Sequence, residues 1–134
     1  MRRILLMLLC SFVVGCGGSD GPELADVTGT VTLDGKPLSR ASIRFVPEAS
    51  GGSPSYGATN KDGEYQLLFS ADKSGAMIGR HRVEIEMLEP EYDQEGKLVG
   101  EKPAVLPAKY RNGSELSADV KSGSNAIPFQ LSSK

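Results

Sequence analysis

The sequence predicts an all-β protein, folded as a sandwich of two antiparallel sheets. Six segments alternate apolar and polar residues with a period of two, which is typical of strands that bury one face. Asp34-Gly35 and Asp62-Gly63 are strong signals for tight turns, and residues 16–134 contain no window with apolar residues at helical spacing. The six segments are 27–33, 41–45, 65–69, 83–87, 116–120 and 127–131.

A seventh, shorter strand is predicted over residues 56–59. It follows a Gly- and Ser-rich connection that Pro47 and Pro54 bracket. Later turns are predicted at Asn112-Gly113 and at 123–125. Seven short strands separated by turns favour a two-sheet sandwich, and we assign residues 25–134 to this one domain.

The acidic segment 89–103 interrupts the alternation. It combines five acidic residues with two prolines and two glycines. We predict a long exposed loop here, in which a small hairpin could turn at Glu95-Gly96. A solvated loop is one interpretation, and a site that docks a basic partner or weakly binds cations is the other. For the second interpretation, Glu91, Tyr92 and Asp93 are the candidate interaction residues.

The first 16 residues have the order of a secretory signal. Two arginines precede the apolar run 4–14, which is too short to span a bilayer and is typical of a signal peptide. Val13-Val14-Gly15-Cys16 then resembles the lipobox of bacterial lipoproteins, although the preferred leucine is here Val13. The resemblance implies cleavage between Gly15 and Cys16 and acylation of the Cys16 sulfur. The alternatives are an ordinary secretory signal and a buried N-terminal strand.

A lipidated Cys16 would fix the topology of the chain. Residues 1–15 would be removed, residues 16–24 would form a flexible tether, and the acyl chains would hold the domain on a membrane without spanning it. Gly17 replaces the aspartate that retains some lipoproteins in an inner membrane. We therefore expect an outer-membrane address in the cell envelope, on either face.

Composition narrows the classes of function. The formal net charge is −2, and loss of Arg2 and Arg3 with the signal peptide makes it −4. This acidity argues against nucleic-acid binding, which needs basic clusters. Cys10 would also be removed, so a mature chain that starts at Cys16 could form no internal disulfide and no cysteine-based metal site. We expect no cofactor.

Several motifs resemble carboxypeptidase regulatory-like domains. The strand 27–33 with Asp34-Gly35-Lys36-Pro37-Leu38 is similar to the opening G-x-V strand and D-G-x-P-L turn of that family, and Thr59–Tyr65 is similar to its T-x-x-D-G-x-Y motif. Gly79–Val83 resembles the strand that follows, and Leu106–Tyr110 resembles a P-x-K-Y element of short planctomycete-type lipoproteins. The resemblance implies a seven-stranded transthyretin-like sandwich, but fold does not imply function.

Candidate catalytic residues are few. His81 is the only histidine, and the alternation places it on the core face with Val83 while Arg80 and Arg82 point outward. We interpret it as a core residue and not as a general base. The transthyretin-like hydrolases of 5-hydroxyisourate use several histidines, and a sequence with one histidine cannot assemble that set. Asn60 and Asp62 are explained by a turn without calcium.

These observations favour a lipid-anchored, non-enzymatic envelope module with an interaction or structural role. Its partner would be an envelope protein or a glycan. The alternative is a module that binds carbohydrate or another small ligand, with Tyr56, Tyr92 and Tyr110 as the available aromatic residues. A transthyretin-like hydrolase is the less favoured third reading.

Intact-mass analysis of the native N-terminal peptide tests the anchor. We expect a peptide that begins at Cys16 and carries a diacylglyceryl group. An unmodified peptide that begins at Arg2 or Arg3 would show that the lipoprotein interpretation is wrong.

Overall fold

A computed structural model describes residues 21–103, 106–111 and 114–134. Within them the chain forms thirteen β-strands and one short 3-10 helix, Ala108–Tyr110, so the all-β prediction is confirmed. The predicted signal peptide with Gly15, and the tether as far as residue 20 with Cys16, lie outside the described residues. The strands are β1 Leu24–Leu33, β2 Lys36–Pro37, β3 Ala41–Pro47, β4 Ser55–Ala58, β5 Glu64–Gln66, β6 Leu68–Ser70, β7 Lys73–Ser74, β8 Ala76–Met77, β9 Gly79–Tyr92, β10 Leu98–Pro103, β11 Ser117–Val120, β12 Ser124–Ala126 and β13 Phe129–Leu131.

The first sheet is organised around β1, which has partners along both of its edges. On one side β12 and β13 run parallel to it. On the other side β2, β5 and β8 run antiparallel to it. The β1–β2 hairpin turns at Asp34-Gly35, where both residues have positive φ, 52° and 81°. This is the turn that the dipeptide predicts.

The second sheet is organised around β9, the longest strand. Its strand order is β10-β9-β3-β4-β6-β7, and β11 also pairs with β9. β3 pairs with β9 from Ala41 opposite Met87 to Pro47 opposite His81. The alternation along β3 and β9 puts Ile43, Phe45, Val83 and Ile85 inside, and each of them is at most 1% exposed.

The two sheets pack face to face over one apolar core, so the chain is a β-sandwich. Val27 and Val31 of the first sheet are fully buried. Phe45 of the second sheet meets Phe129 of the first edge-on, with ring centroids 6.0 Å apart. Seventeen apolar residues are buried in this core cluster within the described part of the chain.

The structure differs from the predicted sandwich in two features. The pairings of β1 with β12 and β13 are parallel, not antiparallel. The last two strands return to β1 from almost a hundred residues away, so no tight hairpin dictates their direction. The strand count also differs from seven, because short strands such as β7, β8 and β12 add to the predicted ones and one predicted strand is interrupted.

Two departures from the predicted strands have local causes. Leu67, fully buried, lies where the chain passes from the first sheet to the second: β5 pairs with β1 and β6 pairs with β4. The strand predicted over 65–69 is therefore two strands. The strand predicted over 127–131 is shortened to β13, because Pro128 has no N–H to donate to a ladder, and β12 forms where a turn was predicted at 123–125.

The segment predicted as a loop over 89–103 is mostly strand. Residues 88–92 of β9 pair with residues 98–103 of β10 in an antiparallel hairpin. The prolines do not prevent this, because an edge strand tolerates proline. Pro103 lies on β10, the outermost strand of its sheet, and Pro90 lies beyond Met87, where β9 no longer pairs with β3. The exposure of residues 91–100 agrees with the prediction.

A close contact at Gly29 joins β1 to β5 on one side and to the segment between β12 and β13 on the other. The Tyr65 hydroxyl donates a hydrogen bond to the Ile127 carbonyl oxygen across β1, and burial raises the pKa of this hydroxyl above its ordinary value of 10.0. A Cβ atom on Gly29 would lie 2.1 Å from the same carbonyl oxygen and 2.8 Å from the Tyr65 ring. Only glycine fits here.

We expect Gly29→Ala to lower the free energy of unfolding by about 2–3 kcal/mol, because the added methyl group overpacks the contact between Tyr65 and Ile127. Urea unfolding measures this. Gly21→Ala is the matched control, because its Cβ would meet only the flexible Lys73 side chain at 3.8 Å. Equal stability of the two variants would contradict the proposed role of Gly29.

Candidate functional site

The β9–β10 hairpin extends beyond the rest of its sheet. The pairing of β9 with β3 stops at Met87, and the remaining residues of β9 pair with β10. We call the segment 88–103 the arm. Its turn is held by Asp93, whose Oδ1 accepts hydrogen bonds from the backbone N–H groups of Glu95 and Lys97, both at 2.9 Å. Gly96 takes a positive φ of 80°, so the turn lies where Glu95-Gly96 predicts it.

The arm has two different faces. Strand alternation places Glu89 and Glu91 on one face and Pro90 and Tyr92 on the other. Leu98 lies opposite Tyr92 in the ladder. The side of Tyr92 is therefore apolar, and the reverse side is acidic.

Apolar side chains of the arm are unusually exposed. Tyr92 is 59% exposed, and Leu98 and Val99 are each 58% exposed. Of the three residues predicted for interaction, Tyr92 thus lies on the apolar face, Glu91 on the acidic face, and Asp93 serves the turn. Whether they contact a partner stays a prediction.

A groove lies between the arm and the outer face of the sandwich. Its volume is about 370 Å³, which is in the range of small-molecule sites. Pro90, Tyr92 and Leu98 form the arm side. The other side is formed by Arg40, just before β3, by Ser42 on β3 and by Ala58 on β4.

Arg40 is held in the left-handed region, with a φ of 60°. A residue with a Cβ atom adopts this conformation at a cost of about 1–2 kcal/mol. Two hydrogen bonds to the buried Thr59, one from Arg40 and one from the next residue, Ala41, hold this conformation. The Thr59 carbonyl oxygen accepts from the Arg40 N–H at 3.2 Å, and the Thr59 hydroxyl accepts from the Ala41 N–H at 2.9 Å.

A second aromatic position adjoins the groove through Ala58. Tyr56, two residues earlier on β4, is 52% exposed and lies opposite Leu68, which is 47% exposed. The Arg44 guanidinium lies 5.9 Å from the centroid of the Tyr56 ring. Arg44 also pairs with Glu84 at 3.0 Å, so its charge is already partnered.

His81 lies in the core, as predicted. Its side chain is fully buried, its Nε2 is 2.7 Å from the Met77 carbonyl oxygen, and its ring centroid is 5.6 Å from that of Phe45. The flanking arginines face outward and form ion pairs, Arg82 with Glu84 at 3.1 Å and Arg80 with Glu48 at 3.5 Å. Their outward direction is the one that the alternation predicts.

Tyr110 does not belong to the candidate aromatic surface, and that part of the prediction is wrong. It is only 8% exposed, and its hydroxyl accepts a hydrogen bond from the Ser132 N–H at 2.9 Å. The 3-10 helix places this ring against the core, where the C-terminal segment covers it.

The turn at Asn60 is an ordinary Asx turn. The Asn60 Oδ1 accepts from the backbone N–H groups of Asp62 and Glu64, at 2.9 and 3.0 Å. This oxygen serves the backbone, as the turn interpretation predicts. Among the described residues there is no group of three or more His, Cys, Asp or Glu side chains that could hold a metal ion. No helix in that part of the chain is long and apolar enough to cross a membrane.

The sequence prediction missed most of this site. Tyr92 was a candidate, whereas Arg40, Ser42, Ala58 and Leu98 were not. Leu98-Val99, an apolar pair inside an acidic segment, was an available signal for an exposed contact surface. Nothing in the sequence around Arg40 indicates a positive φ, because arginine is not a residue that favours it.

No protein-family model and no curated protein matches the chain. Two solved structures are similar in part. A DUF3823 family protein from Parabacteroides merdae matches with a TM-score of 0.48 and 13% identity, over 82% of this chain and 46% of that one. A 9R-lipoxygenase from Cyanothece matches with a TM-score of 0.45 and 14% identity, over 81% of this chain and 16% of that one. The chain thus spans less than half the length of either, and neither likeness transfers an activity or a partner to it.

Proposed function

We propose that the protein is a lipid-anchored β-sandwich module of the cell envelope that binds a partner through its arm and is not an enzyme. In this proposal it is a planctomycete-type lipoprotein with a domain of the carboxypeptidase regulatory-like, transthyretin-like kind. The observation that carries the binding role is the apolar surface that the arm exposes at Tyr92, Leu98 and Val99. Exposed apolar surface of this kind favours a contact role.

The direction of the arm supports this role. Leu24, the first residue of the sandwich after the proposed tether, pairs with Met77. The Met77 carbonyl oxygen is hydrogen-bonded to the side chain of His81, near the start of β9. The anchored end of the sandwich therefore lies beside the start of β9. β9 is 14 residues long, and its other end lies about 40 Å away along the strand. A lipid on Cys16 would therefore hold one end of β9 at the membrane and present the arm at the other.

The charged side chains near the core also fit a non-catalytic module. His81 is enclosed by the core, and three of the arginines are engaged in ion pairs. A general acid or base needs to reach a reacting group within hydrogen-bond distance. A fully buried imidazole that bonds a backbone carbonyl does not offer that access.

Binding of a carbohydrate or another small ligand is the second candidate function. The groove of about 370 Å³ beside Tyr92 is the observation that favours it. Tyr56 extends the aromatic surface past Ala58, so a polymer could lie across both positions. This second function uses the same arm as the first, but the bound molecule is a small ligand or a polymer segment in the groove and not a whole partner protein.

A photo-crosslinking amino acid placed at Leu98, in cells that express the full chain, tests the arm. We expect discrete adducts in the native envelope, since Leu98 would lie in the contact. The matched control is Ile78, which is 37% exposed but lies next to the anchored end.

In the chain that carries the crosslinking residue at position 98, Val99→Asp is expected to reduce the adducts several-fold, because burying an unpaired carboxylate in a contact is costly. Thermal unfolding checks that the fold is retained. Equal adducts at positions 98 and 78, or adducts that Val99→Asp leaves unchanged, would contradict a contact through the arm.

A further inference from the structure

We infer that the groove beside the arm binds an acidic sugar, with the sugar ring against Tyr92 and the sugar carboxylate paired with Arg40. This assignment rests on the proposed binding function and names its ligand class. Tyr92 and Arg40 both line the groove, from its opposite sides. A ring that carries a carboxylate can touch both at once.

The charge of Arg40 is the first argument. Arg44, Arg80 and Arg82 each form an ion pair with a glutamate. Arg40 forms none with any side chain that the structure describes. A guanidinium presents a rigid fork of N–H donors that matches the two oxygens of a carboxylate, so an anionic ligand complements this wall of the groove.

The backbone at Arg40 is the second argument. A positive φ at a non-glycine residue is costly, and strained residues of this kind cluster at binding and active sites. Thr59 holds both Arg40 and Ala41 through its backbone and its hydroxyl. Glycine or asparagine would satisfy the turn with less strain, so the arginine is explained by its side chain and not by the turn.

The composition of the groove is the third argument. Pro90, Tyr92 and Leu98 offer an apolar surface, while Arg40 and Ser42 offer polar groups on the facing wall. A pyranose has an apolar C–H face and a polar rim, and an exposed tyrosine suits the first of these. The acidic side chains of Glu89 and Glu91 lie on the reverse face of the arm, where they do not line the groove.

The size of the groove favours a small ligand over a folded protein at this position. A stable protein contact buries about 800 Å² on each partner. A groove of about 370 Å³ instead lies near the lower end of small-ligand sites. A few sugar rings of an envelope polysaccharide fit this description.

Isothermal titration calorimetry of the full chain in detergent, with tetragalacturonate as the probe, tests the assignment. We expect saturable binding that Arg40→Asn weakens about tenfold or more, because a charge-assisted hydrogen-bond pair is lost. Asparagine tolerates the left-handed conformation, so the thermal stability of this variant should be equal or higher. Lys36→Gln, which removes an exposed charge on β2, is the matched control and should bind like the wild type.

Two further probes separate the ligand classes. Fully methyl-esterified tetragalacturonate, which has the same shape without charge, should bind about tenfold more weakly or not at all. Tetraglutamate should not compete, because it lacks a ring for Tyr92. Equal binding of the ester would overturn the pairing with Arg40, and equal binding of the peptide would overturn the assignment to a sugar.

The failure of this inference differs from the failure of the proposed function. No binding of tetragalacturonate, while the adducts at Leu98 persist in Arg40→Asn, would overturn the acidic-sugar ligand alone. If the folded chain with the crosslinking residue at position 98 and no other substitution also gave no specific adducts, the binding role of the arm itself would be overturned.

Discussion

The structure depends on β1 being paired along both of its edges. Five strands that come from widely separated parts of the sequence share this one strand as their neighbour. Their approach is close enough at Gly29 that Tyr65, from one side, reaches the backbone of Ile127 on the other. The first sheet is therefore held by backbone pairing and by side-chain hydrogen bonds, of which the bond from Tyr65 to Ile127 crosses β1. The second sheet packs on the apolar face that results, with Phe45 against Phe129.

This arrangement separates the part of the chain that folds from the part that is available for contact. β9 contributes Val83 and Ile85 to the core, and then continues beyond β3 into the arm. From Glu89 to Tyr92 its side chains lie outside the buried core, and Tyr92 and Leu98 of the facing strand β10 are more than half exposed. Since residues 89–100 add nothing to the buried core cluster, substitutions on their surface should alter what the protein binds more than how stably it folds. The groove and the strained Arg40 lie at this boundary, where the sandwich supplies rigidity and the arm supplies an exposed aromatic ring.

Much of the fold could be predicted from the sequence, because the alternation reports which residues face a core. Val27, Ile43, Tyr65, Val83 and Phe129 were all placed on the buried face, and the Asp34-Gly35 turn was placed correctly. Pairing partners could not be predicted, because alternation is the same for parallel and antiparallel neighbours. The passage of Leu67 between sheets was missed for a related reason, since it is decided by distant strands. In the acidic segment the turn at Glu95-Gly96 was placed correctly, but the strands on either side of it were predicted as loop. Of the residues that line the groove, the sequence predicted Tyr92, which has a visible chemical signal, but not Arg40, whose conformation is imposed by Thr59.

Hydrogen exchange of the full chain, followed by mass spectrometry, tests most directly the claim that a β1-centred core carries a separable arm. Peptides that cover β1, β5 and the first half of β9 should exchange slowly and together, by global unfolding. Peptides that cover residues 89–100 should exchange at least about tenfold faster, by local opening of the β9–β10 hairpin. Equal protection of the arm and the core would show that the arm belongs to the cooperative unit, and would contradict this account.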